Sequence, residues 1–151
     1  MHNLCERGLD DAIKEEIKKG KPLLGICLGM QFLASRGEEY GSTDGLGLIP
    51  GDIVKIDLPT TELRLPHVGW NDVAYTKSSL LWRGIEERPC FYFIHSYTYD
   101  NIADEHVVGT CEYGTQIVAA VQRGMIFGVQ FHPEKSQSAG LQLLKNFSEL
   151  C

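Results

Sequence analysis

"KPLLGICLGMQFLA", residues 21–34, sets a cysteine at the end of an apolar run and between two glycines. "PLLGI" (22–26) has the pattern of a strand buried on both faces. "LGMQFLA" (28–34) reads as the helix that follows it. A strand turning sharply into a helix at a glycine-flanked residue has the form of a nucleophile elbow, with Cys27 at its apex. Gly25 and Gly29 leave room for the turn. The competing reading is a core thiol, since free cysteines more often fill cores than react.

A second apolar run, "MIFGVQF" (125–131), ends in His132. In open α/β sheets, sites form beyond the carboxyl ends of parallel strands. If the two runs lie side by side, Cys27 and His132 share one sheet edge. Between them, β-like runs occur at "DIVKID", "HVGWNDVAY", "CFYFIHSYTY", "HVVGTCEY" and "QIVAAVQ". Helices are expected over residues 8–19, over "SSLLWRGI", and over 138–150 with Leu141, Leu144 and Phe147 facing inward. The sum is one α/β domain over residues 1–151 with a mixed sheet.

At the elbow, the thiol meets a helix N-terminus, where free N–H groups and the dipole favour a thiolate. The Leu28 N–H is placed to donate to a developing oxyanion. Gln31, one helical turn on, reaches over the same space. In "FHPEK", Pro133 blocks helix continuation, and an extended segment would turn His132 and Glu134 to one side. Glu134 then orients an imidazole that deprotonates Cys27, the logic of a Cys-His-Glu triad. His2 and His106 fit surface positions, His106 at a strand start. His67 and His95 lack an acid two residues on and read as structural or substrate-adjacent.

Composition narrows the rest. The chain has 151 residues, 14 basic and 20 acidic, for a net charge of −6, with no dense Lys/Arg run. Nucleic acid is therefore an unfavourable partner. No apolar run is long enough to span a membrane. Five cysteines without paired spacing suit a reducing cytoplasm and form no zinc pattern. Neither a metal nor an organic cofactor is expected.

"GICLGMQ" together with "GVQFHPEKS" resembles the class I glutamine amidotransferases. "PHVGWN" (66–71), "FYFIHSY" (91–97) and "GLGLIPG" (45–51) narrow the resemblance to the glutaminase subunits of imidazole glycerol phosphate synthases. It implies a flavodoxin-like amidotransferase domain with Cys27, His132 and Glu134 as catalytic residues. It further implies glutamine binding by Leu28, Gly29, Gln31, Glu39, His95, Ser96 and Tyr97. Trp70, Asn71 and Lys135 would face a (β/α)8-barrel cyclase subunit that receives the ammonia in a heterodimer.

The resemblance also implies a preceding βαβ region, with a glycine-rich strand end completing the oxyanion hole, that has no counterpart here. A buried-type strand at 22–26 preceded only by a helix points the same way, because one of its edges would be bare. The expectation is a domain incomplete at its N-terminus. Two other functions fit the motifs: a paralogous glutaminase feeding a sugar amidotransferase, and a non-catalytic subunit that only binds its synthase.

Overall fold

The computed structural model describes residues 1–60 and 62–151. A short helix α1 (His2–Glu6), absent from the sequence expectation, leads into α2 (Leu9–Lys18). Left-handed Gly8 opens α2, Asp10 and Asp11 sit in its first turn, and Lys18 in its last. These charges complement the helix dipole. Ile13 and Ile17 face a core cluster around Met30, Leu33 and Ile49. Glu16 pairs with Lys19 and Lys21, fastening the end of α2 to the approach of the next strand.

That strand is β1 (Leu23–Ile26), followed by α3 (Leu28–Phe32). Next come β2 (Arg36–Gly37), β3 (Thr43–Asp44), β4 (Asp52–Lys55), β5 (His67–Asp72) and β6 (Ala74–Tyr75). After them run β7 (Cys90–His95), β8 (Tyr97–Asp100), β9 (Val107–Glu112), β10 (Gln116–Arg123), β11 (Ile126–Val129) and α4 (Gln137–Ser148). Among the described residues, no helix is long and apolar enough to cross a membrane.

The main sheet has the order β1-β11-β10-β9-β6. β1 and β11 run parallel, Leu23 beside Ile126 and Ile26 beside Val129, and the other pairings are antiparallel. The expected mixed sheet and the adjacency of the two apolar runs are both present. β11 is buried along its whole length, with β10 on its other side. β1 has β11 as its one strand partner among the described residues, and its pattern is only half-buried.

Two smaller sheets, β3-β2-β4-β8 and β5-β7, complete the strand set. Single β-like runs in the sequence therefore divide. "HVGWNDVAY" breaks at buried Val73 into β5 and β6, and "CFYFIHSYTY" breaks at Ser96 into β7 and β8. In both cases the two halves join different sheets. The "SSLLWRGI" helix shrinks to a 3-10 turn at Leu80–Trp82, capped by the Ser79 hydroxyl. His106 closes another 3-10 turn (Asp104–His106) and does not open β9.

The final helix differs in its inward face. Leu141 is exposed, whereas Leu143 is fully buried and Phe147 meets the Phe127 ring edge-on at 6.2 Å. Buried Asn146 explains the offset, since its amide donates to the carbonyls of Leu81 (2.8 Å) and Arg83 (2.7 Å). Those bonds satisfy the Asn146 amide and two carbonyls where the helix crosses the 3-10 turn, while the buried Trp82 Nε1 in the same turn has no partner.

Candidate active site

Cys27 is the N-cap of α3, with φ 50° and ψ −109°. A non-glycine residue there is strained by roughly 1–3 kcal/mol, and such strain collects at functional positions. The surroundings hold it in place. The Cys27 N–H donates to Val129 O at 2.8 Å, continuing the β1–β11 pairing to the apex. A Cβ on Gly25 would lie 2.6 Å from the Gly29 carbonyl group, so only glycine lets α3 fold back over β1. Gly29 itself has open space at its Cβ direction. Of the two flanking glycines, Gly25 is the one the turn requires.

Beyond β11 the chain crosses to the β5–β7 ribbon. Gln130 N–H donates to Ala119 O (2.8 Å), and His132 N–H to Tyr92 O (2.8 Å). The Ser136 hydroxyl donates to His132 O (2.6 Å) and accepts from Tyr92 N–H (3.0 Å), pinning the backbone of His132 at this seam. Pro133–Lys135 form a 3-10 turn in place of the expected extended segment. Proline at the first position of the turn is compatible with it, because that N–H would have no partner. His132 Nδ1 and Glu134 Oε1 are nevertheless 2.7 Å apart. With Nδ1–H donated to the carboxylate, neutral His132 keeps its lone pair on Nε2, the state a general base needs.

Cys27 Sγ lies 3.9 Å from Ile94 O and 3.7 Å from Gln130 Nε2, and makes no hydrogen bond to His132. Burial pushes its thiol above the ordinary value, and the Glu134 carboxylate adds to the rise. The Leu28 N–H, the Gln130 amide and Lys135 pull in the opposite direction without reversing it. The expectation that the helix terminus favours a thiolate is therefore not met in this state. Desolvation outweighs the Leu28 N–H at the start of α3. Ionisation of Cys27 requires a base.

Leu28, Gln31 and Glu39 line one cavity of ≈150 Å³, together with Met1, Phe32, Thr43 and Asp44. Gln31 Nε2 donates to Gln130 Oε1 (3.0 Å) and Tyr97 O (3.4 Å), so it bridges this cavity and the thiol. His95 is turned inward, with Nδ1 2.8 Å from Tyr97 O and Nε2 3.1 Å from His67 Nδ1. Ser96 lies at the break between β7 and β8. On the outer face of the ribbon, Trp70 is 48% exposed and packs edge-on against Tyr92, with Lys135 Nζ 5.7 Å from the centre of the Tyr92 ring. Asn71 points the other way, to His67 and Glu112 O. No cluster of three or more His, Cys, Asp or Glu is placed to hold a metal among the described residues.

Residues 6–150 match the family model for class-I glutamine amidotransferases. The chain belongs to this family. Among relatives, the imidazole glycerol phosphate synthase subunit HisH of Moorella thermoacetica is 48% identical over 150 residues. The match covers 99% of this chain and 70% of that protein. HisH 1 of Campylobacter jejuni strain 81-176 is 46% identical over 151 residues, covering 99% of this chain and 74% of that one. A solved glutamine amidotransferase superposes with a TM-score of 0.68 at 19% identity, over 96% of this chain and 71% of the other. A second, from Thermotoga maritima, gives 0.62 at 22% identity, over 95% and 54%. The class I amidotransferase fold expected from the motifs is thus the one observed.

Within this amidotransferase, sequence reasoning missed Gln130. It is 1% exposed and is the side chain that bonds both Gln31 and the thiol. The signal was available: an amide inside an otherwise apolar strand run must find partners when buried.

Proposed function

We propose that this chain is the glutaminase subunit of an imidazole glycerol phosphate synthase. The observation that carries the reading is Cys27 on a strained elbow beside the His132–Glu134 pair, on the edge shared by β1 and β11. Glutamine occupies the cavity lined by Leu28, Gln31 and Glu39, with Gly29, His95, Ser96 and Tyr97 around it. His132 takes the thiol proton through Nε2 while Glu134 stabilises the imidazolium. The thiolate attacks the side-chain amide carbon, and the Leu28 N–H donates to the oxyanion. Collapse expels ammonia, which carries the proton returned by His132, and leaves a γ-glutamyl thioester. Water deprotonated by His132 then releases glutamate and restores the thiol.

The ammonia goes to a (β/α)8-barrel cyclase subunit docked on the outer face of β5–β7, in a cytoplasmic heterodimer. The names of the relatives support this partner. So does the character of the face, where Val68 (53% exposed), Trp70 and Ile94 (42% exposed) put large apolar side chains beside Lys135. Aromatic and aliphatic anchors of this kind are what interface centres use.

The test is glutamate release from glutamine, with and without a purified cyclase subunit, against Cys27→Ala. Turnover that rises on adding the cyclase and vanishes in the variant is the expected result. Binding to the cyclase with no turnover in either condition would replace this reading with the non-catalytic one.

A further inference from the structure

Behind the β5–β7 ribbon, polar groups join end to end, buried at His67 and His95 and half-buried at Asn71. Asn71 Oδ1 accepts from Asp72 N–H (2.8 Å), which fixes its amide and leaves Nδ2 donating to Glu112 O (2.8 Å) and to His67 Nε2 (3.3 Å). His67 Nδ1 meets His95 Nε2 at 3.1 Å, and His95 Nδ1 meets Tyr97 O at 2.8 Å. A carbonyl only accepts, so His95 carries its proton on Nδ1 and its lone pair on Nε2. His67 must then donate from Nδ1 and accept at Nε2. Tyr97 O also accepts from Gln31 Nε2, whose other proton goes to Gln130 Oε1, and Gln130 Nε2 faces Cys27 Sγ.

We propose that His67 is a positioning residue whose Nδ1–H orients His95, and through Tyr97 O, Gln31 and Gln130 sets the amide donor beside Cys27. The inference rests on the reading of Cys27 as the nucleophile. Each link has one polarity: reversing His67, His95, Asn71 or Gln130 leaves a donor facing a donor, and reversing Gln31 leaves an acceptor facing acceptors. Rings clamp His67: Tyr113 stacks on it at 4.0 Å and Phe93 at 4.9 Å. Burial and the neighbouring His95 push His67 down to about 4, and burial lowers His95 as well. Both imidazoles are therefore neutral at pH 7, as the chain requires. Asn71 lies next to Trp70 on β5 but turns to the other face, so the polar path runs from Glu112 O and Asn71 behind the ribbon to the thiol.

Two measurements test this. In the intact protein, nitrogen-15 spectra of the imidazoles at pH 7 should show His67 and His95 as neutral Nδ1–H tautomers. An Nε2–H or a doubly protonated ring at either position would overturn the proposal. Separately, iodoacetamide alkylation of Cys27, read by peptide mass, is followed against pH. His67→Phe keeps the stacking and deletes the donor, while His67→Asn keeps a nitrogen where Nδ1 was. The groups bearing on the ionisation of Cys27, which are His132, Glu134 and Lys135, are the same in all three proteins.

The Phe variant should shift the alkylation profile upward by about half to one pH unit, the worth of one weakened hydrogen bond to the thiolate. The Asn variant should return it. An unshifted profile in folded His67→Phe, or an equal shift in both variants, would reduce His67 to a packing role. Should neither variant fold, the tautomers of the wild-type protein decide. Alkylation needs no glutamine, so this outcome is read separately from any failure of glutamine hydrolysis.

Discussion

β1 and β11 form one parallel pair and each delivers a reactive residue to the same edge, yet they are held very differently. β11 is buried throughout and hydrogen-bonded on both sides, and His132 beyond it is fastened by Tyr92 and Ser136. β1 is half-buried with β11 as its described strand partner, and Cys27 beyond it sits in a strained conformation. The proposed base therefore stands on the rigid member of the pair and the proposed nucleophile on the more weakly supported one. Glycines let α3 close over both strands, at Gly25 on β1 and at Gly128 on β11.

The contrast can be broken at several points. Cys27→Ala should cost about 10,000-fold or more in glutaminase turnover while leaving the melting curve unchanged, because it removes the attacking atom and keeps a Cβ, with the same backbone strain, at the apex. Gly25→Ala should destabilise the fold by about 3 kcal/mol or more, seen as a lowered urea midpoint, since the new methyl meets backbone. Glu134→Gln should lower kcat about 10- to 100-fold with little change in KM, because it loses the imidazolium partner and not a substrate contact.

Gly128→Ala should be milder than Gly25→Ala, about 1–2 kcal/mol. Its nearest obstacles are the movable side chains of Met30, Val121 and Leu33 at 2.8–3.1 Å. A loss at Gly128 equal to that at Gly25 would show that the two strands are equally braced. A further effect is with pH. His67 has a folded value depressed from 6.5 to about 4, so the unfolded chain takes up its proton first on acidification. Stability present above pH 6.5 should then fall progressively toward pH 4, and His67→Phe should flatten that part of the profile.

What could be read from the sequence follows from this same asymmetry. Two apolar runs ending in Cys27 and His132 announce buried parallel strands, and the parallel register that joins them is local to those runs. The breaks at Val73 and Ser96 depend on which sheet each half joins, a tertiary choice that strand propensity does not encode. The inward face of α4 turned because Asn146 found carbonyl partners some sixty residues away. The thiol was misjudged for a related reason. A helix terminus is visible in sequence, but the burial that outweighs it is not. The continuation from Gln31 through Gln130, His95 and His67 required contacts between β5, β7 and the end of β11, which no local pattern carries.

Near the middle of the main sheet, β10 and β9 slip out of register around Ala119, and the Ala119 carbonyl receives Gln130 N–H. The extra residue on β10 at Ala119 is answered by one on β9 at Val108, so the register is restored at Val121 and the irregularity stays local. Deleting Ala119 would leave Cys27 and His132 on their own anchors while withdrawing the backbone partner of Gln130. The distance between nucleophile and base would be kept, and the amide next to them would come adrift. A local irregularity in a strand that carries no reactive group thus sets the calibration of the site.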